Sequence, residues 1–179
     1  MEKPFLLNNL KLDEEALRKI FVFNLNQIHL ILLYLTECLP LIAKATCYGD
    51  LENIINEEIL SDVKVQLFRI SDIFMQLNIV PNQNCPSKLN ELLPNLNYKY
   101  EYEQMDSLSK DLSIVFYLQK LLSIKENHFQ ILKSIANSLN SINIKSYLQY
   151  NCDECKNNKE MLTLVAKDYI ESNINTFLR

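Results

Sequence analysis

Residues 17–46, LRKIFVFNLNQIHLILLYLTECLPLIAKAT, carry the pattern that decides the fold. Their apolar side chains recur at alternating steps of four and three, which is the spacing of the buried stripe of an α-helix and not the alternation of a strand. Asp13 precedes the stripe as a predicted N-cap, because its carboxylate can accept from free N–H groups of the first turn. The stripe consists of Leu17, Phe21, Leu25, Ile28, Leu32, Leu35, Leu39 and Ile42.

Three further segments repeat this helical period, and together they predict an all-α four-helix bundle. We expect one domain over residues 1–179, with helices at about 13–47, 51–77, 107–139 and 144–177 and a crossover over 78–106. Gly49 is predicted to end the first helix and Asp50 to cap the second. Two antiparallel hairpins joined by a long crossover that carries a short helix make the ferritin-like topology.

Composition and charge exclude several classes of function. The chain has one glycine in 179 residues, so a glycine-rich phosphate loop is not expected. The net charge is -4 and no block of Lys or Arg occurs, which argues against nucleic acid as a partner. Residues 28–45 include too many polar side chains for a confident membrane span.

Cysteine usage and the N-terminal sequence bear on localisation. The five cysteines are an odd number and scattered, which favours reduced thiols over a disulfide framework. The N-terminal residues lack the pattern of a secretory signal. We therefore expect a cytoplasmic protein without a membrane anchor.

Four stretches resemble the YciE/YciF-like ferritin-like proteins, a bacterial family associated with stress. They are residues 17–46 and 57–78 in the first hairpin and 118–140 and 150–166 in the second. The landmarks are a Leu-Pro pair in the first helix, Phe-x-x-Leu before the crossover, Cys85, and the Asp-Glu pair and Lys of the fourth helix. The resemblance implies a ferritin-like fold, and in such folds inward carboxylates and histidines hold two metal ions.

The resemblance also implies that the metal ligands are degenerate in this chain. The acid positions of the first and third helices fall on Leu32 and Lys125. An acid remains in the second and fourth helices, but the histidine positions that follow are occupied by amides: Asp62 with Gln66, and Glu154 with Asn158. A register shift brings in Glu58, Ser61 or Glu126 without restoring four acids and two histidines. We therefore expect no metal and no other cofactor.

Lys125 suggests what stands in place of the metal. Two carboxylates buried together require a compensating cation, so one hypothesis is a buried ion-pair cluster of Asp62, Lys125 and Glu154. Replacing Lys125 by Met would then destabilise the protein by about 3 kcal/mol. The alternative is that the Lys125 amine reaches solvent along the bundle surface.

The sequence favours a non-enzymatic structural or interaction protein that forms a homo-oligomer, such as a dimer, or binds an unknown protein partner. A second interpretation stays open: a di-metal iron or manganese protein or oxidase related to stress, using Asp62, Glu58, Glu154 and also Cys155.

Cys152 and Cys155 form a CxxC within a helix, where two small apolar side chains are the simpler interpretation. Tyr98, Tyr100 and Tyr102 alternate with charges in the crossover and could face a partner.

Overall fold

The structure is a computed structural model and describes residues 13–82, 105–138 and 142–177. These residues form four long helices and, within these ranges, no strand. Helix α1 spans Glu14–Ala43. Helix α2 begins as Gly49–Asn53, passes through a π-helical segment at Ile54–Ile59 and continues as Leu60–Gln76. Helices α3 and α4 span Ser107–Ser138 and Ile142–Phe177.

The four helices make an all-α bundle, as the sequence predicts. Helix α1 packs against α2 and α3, and α4 packs against α2 and α3, so the core lies between two hairpins. The predicted stripe of α1 forms much of that core, where Phe21, Leu25 and Leu32 are at most 2% exposed. The predicted short helix of the crossover, Cys85 and the three crossover tyrosines lie outside the described residues.

Helix α1 begins as predicted and ends earlier than predicted. The Asp13 carboxylate accepts a hydrogen bond of 2.7 Å from the backbone N–H of Ala16, which confirms the N-cap. Pro40 lies inside the helix without ending it. The helix ends at Ala43, and Gly49, predicted to terminate it, instead opens α2 after a turn; the proposed Asp50 cap is therefore wrong.

Asp111 explains this early end and ties the two hairpins together. Its side chain is fully buried at the start of α3, and its carboxylate accepts from the backbone N–H groups of Cys47 at 2.9 Å and Tyr48 at 2.8 Å. A continued helix would have used these donors itself. The ring of Tyr48 stacks on that of Tyr169 in α4 at 4.3 Å. Burial and the Asp111 carboxylate raise the pKa of Tyr169.

The C-terminus of α2 shows a left-handed cap. Asn78 has a φ of 55°, a conformation that asparagine tolerates better than most residues. The N–H of Ile79 reaches back to the Phe74 carbonyl and that of Asn78 to the Met75 carbonyl, each at 3.0 Å. These bonds satisfy carbonyl groups at the end of the helix, so Asn78 ends it as the sequence suggests.

One described helix, α1, is long and apolar enough by length and composition to cross a membrane. Its apolar stripe is buried against the other helices, and a core helix of a bundle passes the same test. The observation is weak evidence for a membrane span.

Replacing Asp111 with Ala is expected to lower the free energy of unfolding by about 2–4 kcal/mol, because two partly buried backbone donors lose their acceptor. Urea denaturation followed by circular dichroism measures the change. The matched control is Asp106→Ala, which removes a fully exposed carboxylate bonded to the N–H of Ser109 at the same end of α3. Equal losses of unfolding free energy in the two variants would contradict the role of Asp111 in holding the turn at Cys47 and Tyr48.

Candidate functional site

A polar layer crosses the middle of the apolar bundle. Helices α2, α3 and α4 each contribute polar side chains that are 0% exposed, namely Gln66, Lys125, Asn151 and Asn158. They occupy positions on the inward stripes, next to buried apolar residues such as Leu122, Phe129 and Leu162. The helical period places these four polar side chains on the same faces as the buried apolar residues, so they lie within the core.

Lys125 is the central member of this layer. Its side chain is fully buried, so the alternative in which the amine reaches solvent is wrong. Burial lowers the pKa of the amine, while the charges of Cys155, Asp62 and Glu154 act in the opposite direction. Because the net shift is downward, the interior disfavours the charged amine despite the two carboxylates.

Glu154 has its own cation, which is not Lys125. One oxygen accepts from Arg69 Nη1 at 2.6 Å, and the other accepts from Gln66 Nε2 at 3.0 Å. Arg69 also donates to Asn151 Oδ1 at 2.8 Å and stands 5.6 Å from the ring of Tyr150. The pair of Arg69 and Glu154 is about one-fifth exposed, so this is a partly screened salt bridge at the edge of the layer.

Asp62 is also satisfied without the lysine. Its carboxylate accepts from Asn158 Nδ2 at 2.8 Å. The Lys125 amine forms no hydrogen bond and no ion pair with any described residue. The structure thus gathers Asp62, Lys125 and Glu154 in one region, but the direct ion pairs of the predicted cluster are absent because each acid has another partner.

The remaining vestigial and shifted-register positions divide between core and surface. Leu32 is fully buried among apolar side chains, whereas Glu58 and Ser61 are exposed on α2. Glu126 is mostly buried and pairs with Lys159 of α4 and with Gln130 one turn on. A register shift therefore adds no free carboxylate to the central layer.

The two cysteines of α4 behave as buried thiols. Cys152 and Cys155 are at most 1% exposed. Burial raises the pKa of Cys152 to about 11 and also raises that of Cys155. A raised pKa disfavours the thiolate needed for metal ligation or nucleophilic attack, which supports the interpretation as small apolar side chains.

The residues of this layer do not fit the two metal ions that a ferritin-like bundle holds. Such a site needs several free carboxylates, and here two acids are already bonded to Arg69, Gln66 and Asn158. Lys125 stands where a further acid would be expected, so the layer lacks that carboxylate ligand. Over the described ranges, no group of three His, Cys, Asp or Glu side chains has a metal-binding arrangement.

The sequence places Asn151 on the inward stripe of the fourth helix, but it does not single out Arg69 or Asp111. Arg69 lies seven residues after Asp62, so a helical wheel of α2 places the two on one face. Asn151 precedes Glu154 by almost one turn of α4. Asp111 gave no signal, because its partners are backbone groups of a turn more than sixty residues away.

Two solved structures share this fold. The Escherichia coli stress protein YciF matches with a TM-score of 0.77 and 18% identity, covering 87% of this chain and 97% of its own. YcfI of Rhodopseudomonas palustris, a protein suggested to have a structural role, matches with a TM-score of 0.72 and 21% identity, covering 86% and 96%.

No protein-family model matches the chain, and no curated protein sequence is significantly similar to it. The predicted resemblance is confirmed for the fold, since both structural matches extend over most of each chain. The chain is an all-α bundle with the fold of YciF.

Proposed function

We propose that this protein is a non-enzymatic, ferritin-like bundle protein that has lost its di-metal site and acts as a structural or interaction protein in the cytoplasm. The observation that carries the proposal is the buried amine of Lys125 in a layer whose two carboxylates are already bonded. The suggested structural role of YcfI agrees with it. Among the described cysteines all four are free thiols, which suits a reducing compartment.

The second interpretation, a di-metal protein that uses Asp62, Glu58, Glu154 and Cys155, has less support. Glu58 is exposed and so lies away from the buried layer. The pKa of the Cys155 thiol is raised by burial, which disfavours the thiolate. Recruiting Glu154 would also release Arg69, leaving that guanidinium without its carboxylate.

Metal binding tests the proposal directly. The wild-type protein, purified without chelator and incubated with ferrous iron in air, is expected to retain less than about 0.1 equivalents of iron and to show no oxidation, because the layer lacks free anionic donors. Elemental analysis and the absorbance of ferric iron are the measurements. Binding of about two equivalents would contradict the loss of the site.

A variant with restored metal ligands provides the positive control, because it is expected to bind metal where the wild type does not. Restoring acids at Leu32→Glu and Lys125→Glu and histidines at Gln66→His and Asn158→His supplies the set that the resemblance implies. We expect this variant to bind Co²⁺ with the visible absorption of a protein site, while Lys125→Gln alone does not. Circular dichroism confirms that each variant keeps its helices.

We also propose that the protein self-associates through the outer face of α1. Phe23 and Leu41 are 56% and 68% exposed, and Leu30 and Tyr34 lie between them at steps of seven, four and seven. This is the spacing of a second apolar seam on the helix, exposed at its two ends and partly packed against the core at Tyr34. The seam runs about 27 Å, and Glu37 is the charged residue at seam spacing between its two ends, with Lys19 and Lys44 flanking them; this suits an isologous helix pairing.

Charged substitutions in the seam are expected to shift the oligomer to monomer. The double variant Phe23→Glu with Leu41→Glu places two acids on the outer face of α1 without touching the core, and sedimentation velocity reports the change in mass. The control is Phe68→Glu with Met75→Glu, which alters equally exposed apolar residues of α2. A wild-type monomer, or equal dissociation in the two variants, would contradict the assignment of this face.

A further inference from the structure

Four buried polar atoms of the central layer have no hydrogen-bond partner among the described residues. Two are donors, Lys125 Nζ and Asn151 Nδ2, and two are acceptors, Gln66 Oε1 and Asn158 Oδ1. All four side chains are 0% exposed. Leaving one such atom unpaired costs about 1–3 kcal/mol, and native interiors rarely leave several together.

These atoms belong to one connected region and not to four separate defects. The other end of the Gln66 amide donates to Glu154, and Glu154 shares Arg69 with Asn151. Gln66 Nε2 also lies 4.0 Å from the sulfur of Cys155 on α4.

Lys125 connects the third helix to the same region. Cys155, Asp62 and Glu154 all act electrostatically on its amine, and Asp62 is bonded to Asn158. The unpaired atoms of Gln66, Lys125 and Asn158 therefore belong to one interior region between α2, α3 and α4, whereas Asn151 lies about two turns from Asn158 along α4.

The chemistry of this region selects the class of ligand. Burying a further ion in this interior is costly, and the two carboxylates are already bonded to Arg69, Gln66 and Asn158. The layer holds unpaired donors and unpaired acceptors, and a ligand that satisfies both kinds must donate and accept. A small neutral molecule with both capacities meets these conditions, and water is the one that is always present.

We infer that the central layer is a binding site for buried water, which joins the Lys125 amine to the amide oxygens of Gln66 and Asn158. A buried water needs two to four polar partners, and Lys125 Nζ with the amide oxygens of Gln66 and Asn158 supplies three. The water links α2, α3 and α4 through hydrogen bonds that the side chains do not make directly. The inference deepens the proposed function, because it fills with solvent the region where related folds hold metal.

A high-resolution crystal structure of the full chain tests the inference. We expect ordered water within about 3 Å of Lys125 Nζ and of at least one of the two amide oxygens. Direct contact of the amine with Gln66, Asn158 or a carboxylate, with no water between, would overturn the inference and leave the proposed function intact. A metal ion at the same position, identified by anomalous scattering, would overturn the proposed function as well.

Solution NMR provides a second readout that does not depend on crystals. Cross-relaxation between long-lived water and the side-chain amide protons of Gln66 and Asn158 is expected in the wild-type protein. The double variant Lys125→Met with Gln66→Leu removes one donor and one acceptor, and its remaining Asn158 signal should lose that cross-relaxation. Gln130→Leu is the control, because Gln130 bonds to Glu126 on the surface of α3. Absence of the wild-type signal, or its persistence in the double variant, would overturn the inference.

Discussion

The burial of the Lys125 amine is the physical constraint on which the rest of the central layer depends. An isolated charge in an apolar interior is strongly unfavourable, so the surrounding groups must either neutralise or solvate it. The layer does so only in part: two carboxylates lie close enough to act on the amine, yet each is bonded to another side chain. The net effect lowers the pKa of the amine, which means that folding disfavours its protonated form.

Replacing a buried ionic group with an apolar isostere is often neutral or stabilising, so stability alone does not account for a lysine at this position. Where a ferritin-like bundle uses metal to hold carboxylates together, this chain bonds Glu154 to Arg69 and Gln66, and Asp62 to Asn158. The fold is shared with YciF, but fold similarity does not carry function; the donor chemistry of the layer is what supports a non-enzymatic role.

The helical period was enough to predict the all-α bundle, because each helix buries a stripe that repeats at steps of three and four. It also placed Lys125, Asn151 and Asn158 on the inward stripes, whereas Gln66 was identified only through the family resemblance. The helical period did not predict which side chains would form hydrogen bonds or ion pairs with one another. The choice of Arg69 over Lys125 as the partner of Glu154 depends on side-chain reach across two helices, and the Asp111 clamp depends on a turn that no local pattern specifies.

The stability of Lys125→Met as a function of pH is the most direct test of the account. The ion-pair cluster predicted from the sequence required this variant to be less stable than the wild type. Because each carboxylate is bonded to another side chain, the variant is instead expected to be more stable than the wild type. The pKa of Lys125 in the folded protein lies below 10.5, its ordinary value in the unfolded chain. At pH values below the folded pKa, the buried charged amine destabilises the fold in full. This destabilisation decreases as the pH rises towards 10.5. The account predicts that Lys125→Met is more stable than the wild type by about 1–3 kcal/mol at pH 7, with a smaller difference near pH 10. A variant that is less stable than the wild type at pH 7 would contradict it and show that the amine pairs with Asp62 or Glu154 in solution.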